Sequence, residues 1–132
     1  MQTIETEKEK MARNQKDIED ISSVIQAYID GGRKGDASIM KPSFRKNAII
    51  HGHTDGGLLA GPIKMLYDWV ESNPSSPNLH ANILNIDLVN TIATARVDIT
   101  DWLGTHYTDQ FTLLKENDSW VITSKVFHTH QH

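Results

Sequence analysis

Apolar positions follow two different periods along this chain. In the first half they recur every three or four residues. Ile18, Ile21, Ile25, Tyr28 and Ile29, with Val24 beside them, form one helical face. Asn14 or Asp17 is placed to cap the start of this helix, and Gly31-Gly32 predicts its stop. Residues 1–16 are charged with mixed signs and read as a tail or a frayed helix extension. A short helix is predicted over Asp36–Met40, capped by Asp36 and ended by Pro42. Residues 47–53 read as a strand and Thr54-Asp55-Gly56-Gly57 as a turn. Gly61-Pro62 then opens a third helix, whose apolar face is Ile63, Leu66, Trp69 and Val70.

From Leu79 onward the period becomes two. Four strands are predicted, over 79–89, 92–103, 106–115 and 120–128. The turns between them are Asn90-Thr91, Gly104-Thr105 and Glu116–Ser119. Short connections favour an antiparallel meander. Helices first and strands last give an α+β fold, with N-terminal helices packed on a strongly curved antiparallel β-sheet. No glycine-rich phosphate loop of the dinucleotide or P-loop type occurs.

Composition narrows the partners. The 132 residues suit a single domain, read as 17–132 behind the 1–16 extension. The net charge of -4 argues against a general nucleic-acid binder. The absence of cysteine removes thiolate catalysis, disulfides and zinc–thiolate sites. No apolar run is long enough for a signal peptide or a membrane span, so a soluble, cytoplasmic protein with no membrane partner is expected.

Strand alternation also proposes a pocket. His80, Asn82, Leu84, Ile86 and Leu88 would share one face of their strand, and Ala93, Ala95, Val97, Ile99 and Asp101 one face of the next. Tyr107, Asp109, Phe111 and Leu113 would share a face, as would Trp120, Ile122, Ser124, Val126 and His128. Each set is apolar along most of its length and polar near one end, as at a pocket mouth. A bulge would flip part of any strand, leaving Asp98 and Thr100 as alternatives to Asp101.

The catalytic candidates are therefore His80, Asp109 and Asp101, and the ligand-binding candidates Tyr28, His51, Trp69, Phe111 and His128. A histidine near its neutral point and a desolvated carboxylate could together enolise a carbonyl or dehydrate an alcohol beside one. The plainer reading makes Asp109 a hydrogen-bond acceptor for its neighbours and His80 a satisfied rim residue.

His51-x-His53 and His128-x-His130 have the strand spacing at which two imidazoles could share one metal. The further ligands of a cupin-like metal motif are not convincingly placed, and no metal or cofactor is assigned. The outward faces, with Ala81, Ile83, Val89 and Phe127, suggest a homodimer through the sheet, and Leu58 and Leu59 a further partner surface.

The order of elements resembles the nuclear-transport-factor-2-like (NTF2-like) superfamily, a cone-shaped α+β fold. The resemblance rests mainly on Tyr107-x-Asp-x-Phe-x-Leu-Leu-Lys115 and Trp120-x-Ile-x-x-Lys-Val-Phe127, and less specifically on Phe44–Ala48. Within the superfamily the chain looks most like the branch named "putative lumazine-binding", over roughly Asp17–His128, with SnoaL-like and ketosteroid-isomerase-like relatives. Asp118-Ser119 stands where relatives often have glycine before the last-strand tryptophan. The resemblance implies a deep pocket between sheet and helices, a small hydrophobic or aromatic ligand, and commonly a homodimer. It implies no settled reaction, since the superfamily holds isomerases, dehydratases, cyclases and non-catalytic binders. His80 sits where several pocket-bearing relatives place a histidine. The expected function is small-molecule binding. The alternatives are a cofactor-free lyase or isomerase using a His/Asp pair, and a structural or interaction module.

Overall fold

The computed structural model describes residues 4–130. Helix α1 spans Glu7–Lys34, so residues 7–16 extend the helix. The Thr6 hydroxyl caps it by accepting from the Glu9 N–H at 3.1 Å. Acidic Glu7 and Glu9 lie in its first turn and basic Arg33 and Lys34 in its last, matching the helix dipole.

The predicted stop at Gly31-Gly32 is not a stop. The helix runs through both residues and ends at Gly35, which adopts φ 68°. Gly32 is glycine for another reason: a Cβ there would lie 2.7 Å from the Trp102 ring. The missing side chain lets the indole press against the helix backbone.

The predicted second helix forms as α2 (Ala37–Met40), capped by the Asp36 carboxylate, and a 3₁₀ turn over Lys41–Ser43 follows. Strand β1 is Phe44–Thr54. Strand β2, Gly57–Pro62, lies where the sequence predicts only a turn and a helix start. Its alternation carries little signal, because Gly57, Gly61 and Pro62 are poor strand formers at an edge. Helix α3 is Lys64–Glu71. The predicted meander follows as β3 (His80–Val89), β4 (Ile92–Trp102), β5 (Thr105–Glu116) and β6 (Ser119–Thr129).

The six strands form one mixed sheet in the order β2-β1-β6-β5-β4-β3. The meander is antiparallel, whereas β1 joins β6 in parallel. The helices cover one face. The core there joins Ile21, Ile25 and Tyr28 of α1 to Val97, Ile99, Phe111 and Ile122 of the sheet. No helix among the described residues is long and apolar enough to cross a membrane.

Four strand pairs carry a register shift, and the three within the meander decide which of its side chains face the helices. In β3 the shift falls between Ile83 and Asn85. In β4 it falls between Ile99 and Trp102. Between β5 and β6, Thr112 pairs with Ser124 but Leu113 pairs with Ile122, so Thr123 is an extra residue. The Thr123 hydroxyl donates to the Thr112 carbonyl at 3.2 Å and meets the Thr112 hydroxyl at 2.9 Å, which holds the bulge.

Asp17 is not a cap. It lies inside α1, buried, and accepts from Lys115 Nζ at 2.9 Å and Trp120 Nε1 at 3.1 Å. Burial pushes its carboxyl up, but these two bonds outweigh that effect and hold it below the ordinary value of 3.8. A depressed carboxylate stabilises the fold above its unfolded pKa, and that stabilisation is lost as pH falls through the folded value. Asp17→Ala is expected to cost about 3 kcal/mol at neutral pH, since it leaves the Lys115 ammonium and the Trp120 N–H without their shared partner. Urea midpoints should show the gap between variant and wild type narrowing as pH is lowered from about 4 towards 2.

Candidate active site

The bulge at Thr123 turns Lys125 and Phe127 towards the helices, both buried. Ser124, Val126 and His128 are correspondingly turned away from the core, the reverse of the sequence expectation. No bulge intervenes on β5 between Tyr107 and Phe111, so Asp109 faces inward as expected. From α1, Tyr28 completes the group. Its hydroxyl donates to Asp109 Oδ2 at 2.7 Å. Lys125 Nζ stands 3.6 Å from Asp109 Oδ1, an ion-pair separation too long for a good hydrogen bond. Asp109 Oδ1 accordingly has no hydrogen-bond partner, although Asp109 is fully buried.

Aromatic rings enclose the three groups. Lys125 Nζ lies 4.4 Å from the Phe127 ring centroid and 5.6 Å from that of Tyr28. The Tyr28 ring meets Phe44, Trp102 and Phe111 edge-on, with centroids 5.4–5.8 Å apart.

In this dry setting each charged form is disfavoured. Burial raises the Asp109 carboxyl, while Lys125 and Tyr28 pull it back only in part. Burial lowers the Lys125 ammonium, against the opposing pull of Asp109. Burial, then the Asp109 charge, pushes Tyr28 far above its ordinary value. Burial thus disfavours both the Lys125 ammonium and the Asp109 carboxylate, and each charge offsets part of the other's cost.

Lys125 also borders a cavity of about 110 Å³. By this measure one water needs roughly 10–15 Å³, so the space suits a compact organic molecule. Its walls are mainly apolar, with Ile50 of β1, Leu59 of β2, Leu66 and Trp69 of α3, and Trp102 of β4. Tyr107 and Thr54 are the other polar side chains on the lining. Asp109 and Tyr28 do not line it.

The other sequence candidates fall in different places. Trp69 lines the cavity, with 37% of its surface exposed. Phe111 is buried behind Tyr28 and does not reach the cavity. His80 is exposed at the start of β3, paired with Thr100, and is not part of the lining. Leu79 takes the buried position instead, and the shift at Leu84 later restores Ile86 and Leu88 to the core face. Asp101 is exposed with φ 58°, because the β4 shift turns Trp102 inward in its place. His51 is half-buried and opposes Val126, on the face away from the helices. His128 is exposed on that same face. Phe127, expected outside as part of a dimer surface, lies inside, while Ile83 and Val89 are exposed, as are Ile49 and Val126 of the outer face.

Comparison with known proteins adds context. The family model described as "Putative lumazine-binding" matches residues 16–128. An NTF2-like protein of unknown function from Shewanella baltica is 39% identical, covering 89% of this chain and 96% of its own, with a TM-score of 0.85. A second NTF2-like protein of unknown function, from Methylobacillus flagellatus, is also 39% identical, covering 88% and 94%, with a TM-score of 0.85. Among curated proteins, the aldolase FrzH of a Cladobotryum species is 26% identical over 111 residues, 83% of this chain and 89% of that protein.

A buried ion pair is a poor stabiliser beside a well-packed apolar replacement. Lys125→Met alone should cost about 3 kcal/mol near neutral pH, because it strands the Asp109 carboxylate. That loss should be absent at acid pH, where the Asp109 carboxyl is neutral with or without the amine, and should open as pH rises above the raised Asp109 value. The triple variant Tyr28→Phe/Asp109→Leu/Lys125→Met removes every unpaired group at once. Its urea midpoint should equal or exceed that of the wild type. A triple variant less stable than Lys125→Met alone would mean the charged group is structural.

Proposed function

Because this chain belongs to the "Putative lumazine-binding" family and has the NTF2-like fold, which host many chemistries, its activity must be argued from its own pocket, and we propose that it binds a compact, largely apolar carbonyl compound and removes a proton from the carbon beside the carbonyl. The observation that carries this reading is that Lys125, whose amine is buried against Asp109, is one of the residues lining the cavity. A group with its basicity lowered by burial, in a water-poor pocket, is a candidate proton-transfer group.

In this mechanism the neutral Lys125 amine accepts the proton from the carbon. The carbon–hydrogen electron pair becomes the enolate, and the new ammonium balances its charge. Asp109, fixed by the Tyr28 hydroxyl, lies 3.6 Å from the ammonium and stabilises it. Tyr107 and Thr54 are the hydroxyl donors available to the carbonyl oxygen. Lys125 is the catalytic residue, and Asp109 and Tyr28 are positioning residues. Enolisation is also the first half of an aldol reaction, so an aldolase among the relatives supports this class of chemistry.

Small ketones and aldehydes incubated with the protein in D₂O should exchange the protons beside the carbonyl, followed by NMR. Lys125→Met should lower the exchange rate at least ~100-fold, Tyr28→Phe should lower it less, and His80→Ala should leave it unchanged. Borohydride added during the reaction distinguishes the amine's role: a mass increment on Lys125 would make it a nucleophile in the same enolisation. Binding of these compounds without exchange, or exchange that survives Lys125→Met, would overturn the proposal.

A further inference from the structure

A second group of reactive side chains lies on the opposite face of the same sheet. Asp98 of β4 and His106 of β5 point away from the helices, and His130 follows β6. Asp98 is paired with Thr108, Thr108 with His128, and the His130 N–H donates to the His106 carbonyl at 2.9 Å. Neighbouring backbone therefore holds all three in register.

Their side chains converge on one point. His106 Nε2 is 2.8 Å from Asp98 Oδ1. Thr108 Oγ1 donates to the same oxygen at 2.9 Å and is 2.7 Å from His130 Nε2. The two imidazoles stack with centroids 4.0 Å apart, which turns both Nε2 atoms towards Asp98 and Thr108. The Asp98, His106 and His130 donor atoms all lie within 4.8 Å of one another.

We propose that Asp98, His106 and His130 form a binding site for a single divalent first-row transition-metal ion, with zinc the best fit. Two imidazole nitrogens and one carboxylate oxygen are a donor set that zinc accepts, with bonds of about 2.0–2.2 Å. Bonds of that length need donors about 3–3.5 Å apart, so rotations within the existing cluster suffice. Three protein donors leave a coordination position for water or another small ligand. The Thr108 hydroxyl then serves as an outer partner that orients Asp98. His128 is next to the cluster, its ring centroid 4.7 Å from that of His130 and at right angles to it. The residues are half-buried, so an ion has access from solvent.

The site is independent of the enolisation chemistry, and its test does not use activity. Metal-free protein titrated with Zn²⁺ should show heat and a rise in Tm that saturate at one ion per chain. Co²⁺ in place of zinc should give visible absorption of a low-symmetry site. His106→Ala/His130→Ala and Asp98→Ala should abolish both signals. Thr108→Val should weaken zinc binding about tenfold. His51→Ala/His53→Ala should change nothing, which separates this cluster from the other histidine pair. No saturable response in the wild type, or one that persists in His106→Ala/His130→Ala, would refute the site.

Discussion

Side chains alternate along a strand, so one extra residue exchanges the two faces from that point on. Thr123 is that residue in β6. Before it, Trp120 and Ile122 face the helices; after it, Lys125 and Phe127 do. If β6 alternated regularly through Thr123, then Ser124, Val126, His128 and His130 would point into the core, and Lys125 would be a surface lysine. Both groups of reactive side chains thus depend on the same bulge. It brings the amine to Asp109 on one face and leaves His130 free to meet His106 on the other. Local hydroxyls of Thr112 and Thr123 secure it, so the parity is fixed by short-range bonds.

The buried amine and carboxyl sit among closely packed aromatic rings. Tyr28 is held by edge-on contacts to Phe44, Trp102 and Phe111, and so its hydroxyl is aimed at Asp109. Trp102 in turn reaches this position because Gly32 has no side chain. Nearer the start of α1, Asp17 ties the helix to Lys115 and Trp120. The helix is therefore anchored on the sheet at two points, and Tyr28 lies between them. This is how a residue from the first element comes to position a residue of the fifth strand.

The elements themselves were mostly legible in the sequence. The 3.6 period marked α1 and α3, and the period of two marked β3 to β6 within a residue or two. Asp109 could be placed inside because the stretch from Tyr107 to Phe111 has no bulge. Lys125 could not, since Thr123 looks like any strand threonine and nothing in its type announces an extra residue. The same blindness put His80 and Asp101 on the wrong face, each displaced by a shift in its own strand. Gly31-Gly32 looked like a helix end because glycine usually serves there. Its real role was in packing, set by Met40 of the next helix and by Trp102, far along the chain. Register shifts and close approaches arise from pairing and packing, and a single strand's pattern does not contain them.

The two faces of β4–β5–β6 also differ in what water allows. Poor solvation of the charged form lowers an amine's basicity, as burial does for Lys125. Imidazole and carboxylate donors need a hydrated ion to reach them and shed its water, so the Asp98–His106–His130 cluster requires partial exposure. Adjacent residues meet these opposite demands: Thr108 faces the cluster and Asp109 faces the amine. Alternation supplies the separation, because consecutive side chains of one strand lie in different solvents. A sheet covered by helices on one face only can therefore carry dry proton chemistry and a solvent-facing donor set within the same three strands.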